Sequence, residues 1–193
     1  MRSFTIWLLL ALPLTAQTQE LGLTLGNVLG NTRGAVKLSA GQAFQANYGY
    51  RLAKLGSAAA LLGEVHFLAN PQRTVTSLPT ATRDVASLFL TPSIRIKFLP
   101  DARLSPWATI GGGLGVYEHS TTLIDSRPNP APRTVTRGAF TFGGGVDFKV
   151  KSWLALRGEV RDFYSGIPVY NVPSVSGRQH NIVVSGGFVI RFP

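Results

Sequence analysis

The chain has 193 residues, no cysteine and 21 glycines; 19 basic against 9 acidic side chains give a formal net charge of +10, although only 15% of residues are charged. That length fits one domain, and the lack of cysteine excludes a disulfide framework, a thiolate metal site and a cysteine nucleophile. So low a charge fraction beside so much glycine is unusual for a soluble surface.

The chain begins with MRSFTIWLLLALPLTA. Arg2 supplies a positive n-region, Ile6 to Leu14 an apolar h-region, and Thr15-Ala16 the small residues before a polar QTQE. Residues 1–16 therefore read as a cleavable secretory signal, in preference to a buried N-terminal helix, and residues 17–193 as one domain. Removing Arg2 leaves 18 basic against 9 acidic residues, a balance of +9. No cysteine follows the signal to carry a lipid anchor, and no later run of about 18 apolar residues exists to form a transmembrane helix.

The rest of the chain alternates with a period of two. Eight strands are expected, centred on Leu21–Val28, Ala43–Leu52, Leu61–Ala69, Ala86–Phe98, Trp107–Glu118, Gly138–Val150, Trp153–Tyr164 and Asn181–Phe192. In FTFGGGVDFKV, Phe140, Phe142, Gly144, Val146, Phe148 and Val150 share one face, opposite Thr141, Gly143, Gly145, Asp147 and Lys149. In WLALRGEVRDFY, Leu154, Leu156, Gly158, Val160 and Tyr164 oppose Ala155, Arg157, Glu159 and Arg161, with Asp162 on the apolar side near the strand end. Connections after the second, fourth and sixth strands are short; those after the first, third, fifth and seventh are long and rich in Pro, Ser, Thr and Arg. Short on one rim and long on the other describes an all-β, eight-stranded, antiparallel up-and-down barrel.

Alternation alone does not say whether the apolar face points in, as in a soluble lipocalin-like binder, or out into lipid. Three features favour out. The polar face carries Gly111, Gly113, Gly115, Gly143, Gly145, Ser185 and Gly187 instead of the bulky side chains of a solvated surface. Its charges form a near-neutral group: Arg51, Glu64, Arg95, Lys97, Asp147, Lys149, Arg157, Glu159, Arg161 and Arg191 can supply one another with opposite partners inside a lumen. The apolar face carries aromatics towards the strand ends, among them Phe44, Tyr48, Tyr50, Phe67, Phe98, Phe140, Phe148, Tyr164, Phe188 and Phe192, as interfacial girdles do. In lipid an open sheet would leave edge amides unpaired, so the first strand must close on the last.

PWATIGGGLGVYE (Pro106 to Glu118), FTFGGGVDFKV, WLALRGEVRDF and the final NIVVSGGFVIRFP carry a resemblance to the small eight-stranded outer-membrane barrels, the OmpA-like and OmpX-like proteins of Gram-negative bacteria. The resemblance implies location in the outer membrane and assembly by machinery that reads the last strand. Phe188, Ile190 and Phe192 occupy that signal, with Pro193 following Phe192 as a departure.

An interior just filled by side chains argues against a wide pore, so the lumen charges read as structural pairs before an ion path. For acyl transfer the best candidates are His119 and Ser120 beside Glu118, but strand neighbours point to opposite faces and the pair would not meet. No catalysis, metal or cofactor is expected; a lipid A-modifying enzyme is the alternative. The long loops carry Arg33, Lys37, Arg73, Arg83, Arg127, Arg133, Arg137 and Arg178 against Asp84 and Asp125. A basic outer rim fits lipopolysaccharide head groups and anionic surface polymers, while export and the scattering of these residues exclude nucleic acid as a partner. The expected state is a monomer with an envelope-structural or surface-interaction role.

Overall fold

The computed structural model describes residues 19–193; the signal expected at residues 1–16 lies outside them. Its strands are β1 (Gln19–Val28), β2 (Asn31–Arg33), β3 (Val36–Leu38), β4 (Gly41–Leu55), β5 (Ala59–Thr76), β6 (Asp84–Phe98), β7 (Leu104–His119), β8 (Thr134–Lys151), β9 (Leu154–Gly166), β10 (Arg178–Gln179) and β11 (Ile182–Phe192). Eight of them form a closed antiparallel ring in the order β1-β4-β5-β6-β7-β8-β9-β11. The ring is sealed by β11 on β1, in register from Gln19 opposite Phe192 to Val28 opposite Val183. Each barrel strand therefore has two partners, and the edge problem of an open sheet does not arise.

The eight expected strands are all present, but their ends differ. The β4–β5 connection shrinks to residues 56–58, and β5 runs on to Thr76 through a stretch expected to be loop. A β-bulge between Asn70 and Arg73 allows this: one inserted residue breaks the alternation and moves the inward set from even to odd numbers. The long connections also contain structure of their own. β2 and β3 form a hairpin that stands on β5, and β10 pairs with β9.

Period two divides the wall cleanly. On β6, Ser87, Phe89, Thr91, Ser93, Arg95 and Lys97 point into the lumen and are buried, while Leu88, Leu90, Ile94, Ile96 and Phe98 point out. Around the ring the outward set makes a belt of large apolar side chains that are 38–64 % exposed, Ile182 and Leu25 marking the extremes. The belt ends where outward charges begin, at Glu118 on the long-loop rim and at Lys151 on the short-turn rim.

The lumen is packed. Towards the long-loop end it holds an apolar cluster that includes Val28, Leu68, Phe89, Tyr117, Phe163 and Val183, closed from above by Tyr170 and Val172 of the β9–β10 connection. Small residues on the inner wall leave room for large ones opposite. A Cβ on Gly145 would lie 2.6 Å from the Trp107 ring, and one on Gly115 would lie 2.6 Å from the Phe89 ring.

Gly145→Val should therefore overpack the lumen and cost about 1–3 kcal/mol. Gly158→Val, where an added Cβ meets nothing within 4 Å, should leave stability nearly unchanged. Denaturant unfolding followed by tryptophan fluorescence checks the pair.

Candidate functional site

The inward rows of all eight barrel strands meet in one polar network in the half of the lumen nearer the short turns. Glu20 at the start of β1 accepts from Lys97 and from Arg95 (3.1 Å) of β6. It also lies 3.5 Å from Arg157 of β9 and 3.3 Å from Arg191 of β11. Asp147 of β8 takes a two-pronged contact from Arg157, at 2.7 and 2.9 Å, and another from Lys97 at 2.7 Å. Two parallel bonds fix the relative placement of both side chains as well as their attraction.

One step further along the axis, Glu64 of β5 pairs with Arg95 and with Arg161 (2.7 Å), and accepts from Asn47 of β4 at 2.9 Å. Glu159 of β9 pairs with Arg161 (3.1 Å) and accepts from Thr24 of β1 at 2.9 Å and Ser185 of β11 at 3.2 Å. At the centre stands Trp107 of β7. Its Nε1 donates to Asp147 at 3.2 Å, and the guanidinium carbons of Arg95, Arg157 and Arg161 each lie 5.0 Å from its ring. Cation–π attraction lets three like charges share a small volume. Five cations thus face four carboxylates, and each carboxylate is already engaged, so none is left as a free metal ligand.

Above this network the lumen turns aromatic. His66 lies 3.0 Å from Gln45 Oε1 through Nε2 and 5.7 Å from the Phe163 ring; Phe163 and Tyr117 both pack on Phe89. The mouth is then closed by the connections. Thr82 Oγ1 donates to the Val169 carbonyl at 2.7 Å, the Thr82 amide to the Tyr170 carbonyl at 3.0 Å, and the Ile124 amide to the Ala81 carbonyl at 3.0 Å. Burial pushes the Tyr170 hydroxyl up from its ordinary value.

Of the ten residues expected in the lumen, Glu64, Arg95, Lys97, Asp147, Arg157, Glu159, Arg161 and Arg191 come together. Arg51 and Lys149 do not. Each adjoins a bulge near the short-turn rim, and both are half-exposed; Lys149 donates to the Asp101 carbonyl instead. Among the expected loop cations, Arg73 is a correction: beyond the β5 bulge it turns inward and is buried. It donates to the carbonyls of Ser39 (2.9 Å) and Leu29 (2.8 Å) and to Asn181 Oδ1 (3.2 Å), tying the β1–β4 connection to the barrel wall. Arg33, Lys37, Arg83, Arg127, Arg133, Arg137 and Arg178 do stand at the outer rim. Arg127 pairs with Asp125, Arg133 with Glu118 and Arg83 with Asp84; Arg33 and Arg137 donate to the carbonyls of Ser176 and Ile167. Phe188, Ile190 and Phe192 form one outward row of β11.

Sequence reasoning missed Glu20 and Trp107. Extending the β1 alternation one step before Gly22 would have placed Glu20 in the inward row. Nothing local distinguishes Trp107 from a girdle aromatic except its odd number, which it shares with Thr109 and Gly111.

His119 and Ser120 are held apart in function. His119 Nδ1 donates to the Pro132 carbonyl at 2.7 Å and Nε2 accepts from the Val169 amide at 2.9 Å, so both ring nitrogens are spent on backbone. Ser120 Oγ donates to the Thr122 carbonyl at 2.7 Å and accepts from the amides of Arg83 and Asp84. The pair clamps the loops.

No family model matches the chain, and no curated protein sequence matches it. Solved structures do. Neisserial surface protein A superposes with a TM-score of 0.58 at 14% identity over 91% of this chain and 96% of its own. The Yersinia pestis attachment invasion locus protein Ail, in complex with the heparin analogue sucrose octasulfate, gives 0.53 at 13% identity over 91% and 97%. The N-terminal β-barrel domain of Pseudomonas aeruginosa OprF gives 0.50 at 11% identity over 91% and 97%. The fold is that of the small transmembrane barrels of outer membranes.

Glu20→Gln should leave four cations short of a partner and cost roughly 3–5 kcal/mol, as removal of one member of a buried ion pair does. Glu118→Gln, at an exposed rim pair, should cost no more than about 1 kcal/mol. Unfolding midpoints of the two variants in the same micelles decide this.

Burial lowers the His119 pKa from its ordinary 6.5. A depressed imidazole contributes stability that is present above 6.5 and is lost as pH falls through the folded value, because a protonated Nε2 cannot accept from Val169. The protection factor of the Val169 amide against hydrogen exchange should be high at neutral pH and fall on acidification, and His119→Phe should remove that pH dependence.

Proposed function

We propose that the chain is an integral outer-membrane protein of a Gram-negative cell, exported on residues 1–16, with an envelope-structural or surface-interaction role and no catalytic one. The observation that carries this reading is the combination of an exposed apolar belt with a lumen whose charges, drawn from six of the eight strands, are paired with one another. Such a wall is at home in hydrocarbon, and such a lumen has no room for a diffusing solute. The lipocalin-like alternative needs an apolar cavity, and Trp107 with its ring of guanidinium groups occupies that space. A lipid A-modifying activity centred on His119 lacks support, since both nitrogens of that ring are engaged by backbone.

Seven cations at the outer rim against Asp84, Glu118 and Asp125 favour anionic partners: the lipopolysaccharide around the barrel and sulfated or phosphorylated surface polymers beyond it. Ail, a protein of the same fold, was solved bound to a heparin analogue, which supports the polymer reading. The outward row Phe188, Ile190 and Phe192 serves as the signal to the barrel-assembly machinery. Closure of β1 on β11 leaves no free edge to recruit a second copy, in keeping with a monomer.

The protein should fractionate with the outer membrane and migrate differently on gels before and after boiling. In detergent it should be retained on a heparin matrix and elute at lower salt when Arg33, Arg83 and Arg178 are changed to Gln. Recovery from the soluble fraction would overturn the membrane reading; absence of retention would overturn the polymer role alone.

A further inference from the structure

One polar cluster stands on the outer wall where a girdle of apolar side chains would suffice. Asp162 of β9 occupies the lipid-facing row, in register between Phe142 of β8 and Ile182 of β11, both exposed. A carboxylate facing lipid is costly unless it is paired. Here it is covered by His180: Nδ1 of that ring contacts Oδ2, while the Asn181 amide donates to Oδ1 at 3.1 Å. The His180 ring packs on Tyr164 with centroids 4.7 Å apart, and the Arg178 guanidinium lies 5.7 Å from the same Tyr164 ring.

Arg178, His180 and Ile182 follow one another on the outward face, so each step from lipid to cation covers two residues, roughly 7 Å of strand. The His180 side chain is 59 % exposed, and among the described residues no carboxylate lies within 4.0 Å of Arg178. Elsewhere on the rim Arg127 and Arg133 have acids of their own.

We infer that Arg178, His180 and Tyr164 form a clamp for the phosphate of an anionic membrane lipid, with Asp162 as the positioning residue for His180. The inference rests on the outer-membrane reading above. A guanidinium offers two parallel donors to phosphate oxygens, and a tyrosine hydroxyl belongs at the level of the head groups. With Asp162 holding Nδ1, the exposed His180 ring leaves Nε2 available for a polar contact with the phosphate. The three groups lie on the barrel wall beside Phe140, which is in register with Tyr164, and above Phe142 and Ile182, so a phosphate held there keeps its acyl chains against apolar side chains, which favours a lipid over a soluble anion.

The test uses the full chain in phosphatidylcholine-doped micelles, with bis-phosphorylated lipid A as the probe and native mass spectrometry as the readout of retained lipid. Arg178→Gln should weaken retention about fivefold, as loss of one surface cation does, and His180→Gln should weaken it by removing the second polar contact. Lys54→Gln, at the opposite, short-turn rim where Lys54 pairs with Asp101, should leave it unchanged, and millimolar inorganic phosphate should not displace the lipid. Arg178→Gln leaves the Asp162–His180 pair intact, so its result stands even if the histidine variant folds poorly. Undiminished retention in Arg178→Gln, in a protein that still fractionates with membranes and shifts on boiling, would sink the clamp and spare the membrane reading. Equal displacement by inorganic phosphate would assign the cluster to free anions and overturn the lipid.

Discussion

Everything in this barrel depends on neutralising charge inside a wall that water cannot solvate. Arg95, Arg157 and Arg161 are fully buried, and each alone would be prohibitively costly. They are tolerable because Glu20, Glu64, Asp147 and Glu159 arrive from four different strands, and because Trp107 offers a π face to all three guanidinium groups. No strand carries its full compensation: on β9 Glu159 answers Arg161, but Arg157 depends on Asp147 of β8 and Glu20 of β1. Barrel closure and charge compensation are accordingly one event: until β1 meets both β4 and β11, Glu20 is absent and the cations of β6, β9 and β11 lack their shared acid.

The remaining features follow from that division between a polar inside and an apolar outside. Glycines on the inner wall make space for Trp107 and Phe89, so the lumen can be filled by a few large side chains from opposite strands. Above the charges, Phe89, Phe163 and Tyr117 provide an apolar layer, and the connections close over it through Thr82, His119 and Tyr170. Arg73 extends the same logic to neutral partners: it satisfies its donors on carbonyls and on Asn181.

The fold was legible because a period of two survives through most of the chain. Phe140–Val150 and the Arg157, Glu159, Arg161 row could be assigned to their faces from spacing alone, and eight members of the lumen network were found that way. Legibility failed where the period breaks or where a strand end is uncertain. The bulge at Asn70–Arg73 hid the second half of β5 and turned a supposed loop arginine inward, and bulges beside Arg51 and Lys149 mark where inward residues leave the network for the rim. Glu20 lay one step outside the strand assigned to it. The pairing of His180 with Asp162 joins residues 18 apart across a long connection, which no local pattern encodes.

The seam between β1 and β11 gives the molecule an uneven folding topology. Seven of the eight seams join strands that are successive around the ring and near in sequence, whereas Gln19 and Phe192 meet across almost the entire described chain. Loop-closure entropy grows only logarithmically with such a span, so the penalty for this one pairing is modest in free energy. Its effect on rate is larger, because non-local contacts are rewarded only after the chain between them has been ordered. The barrel can thus zip hairpin by hairpin through β9 and still wait on one long-range search, with Glu20 and Arg191 paired directly across the seam that ends it.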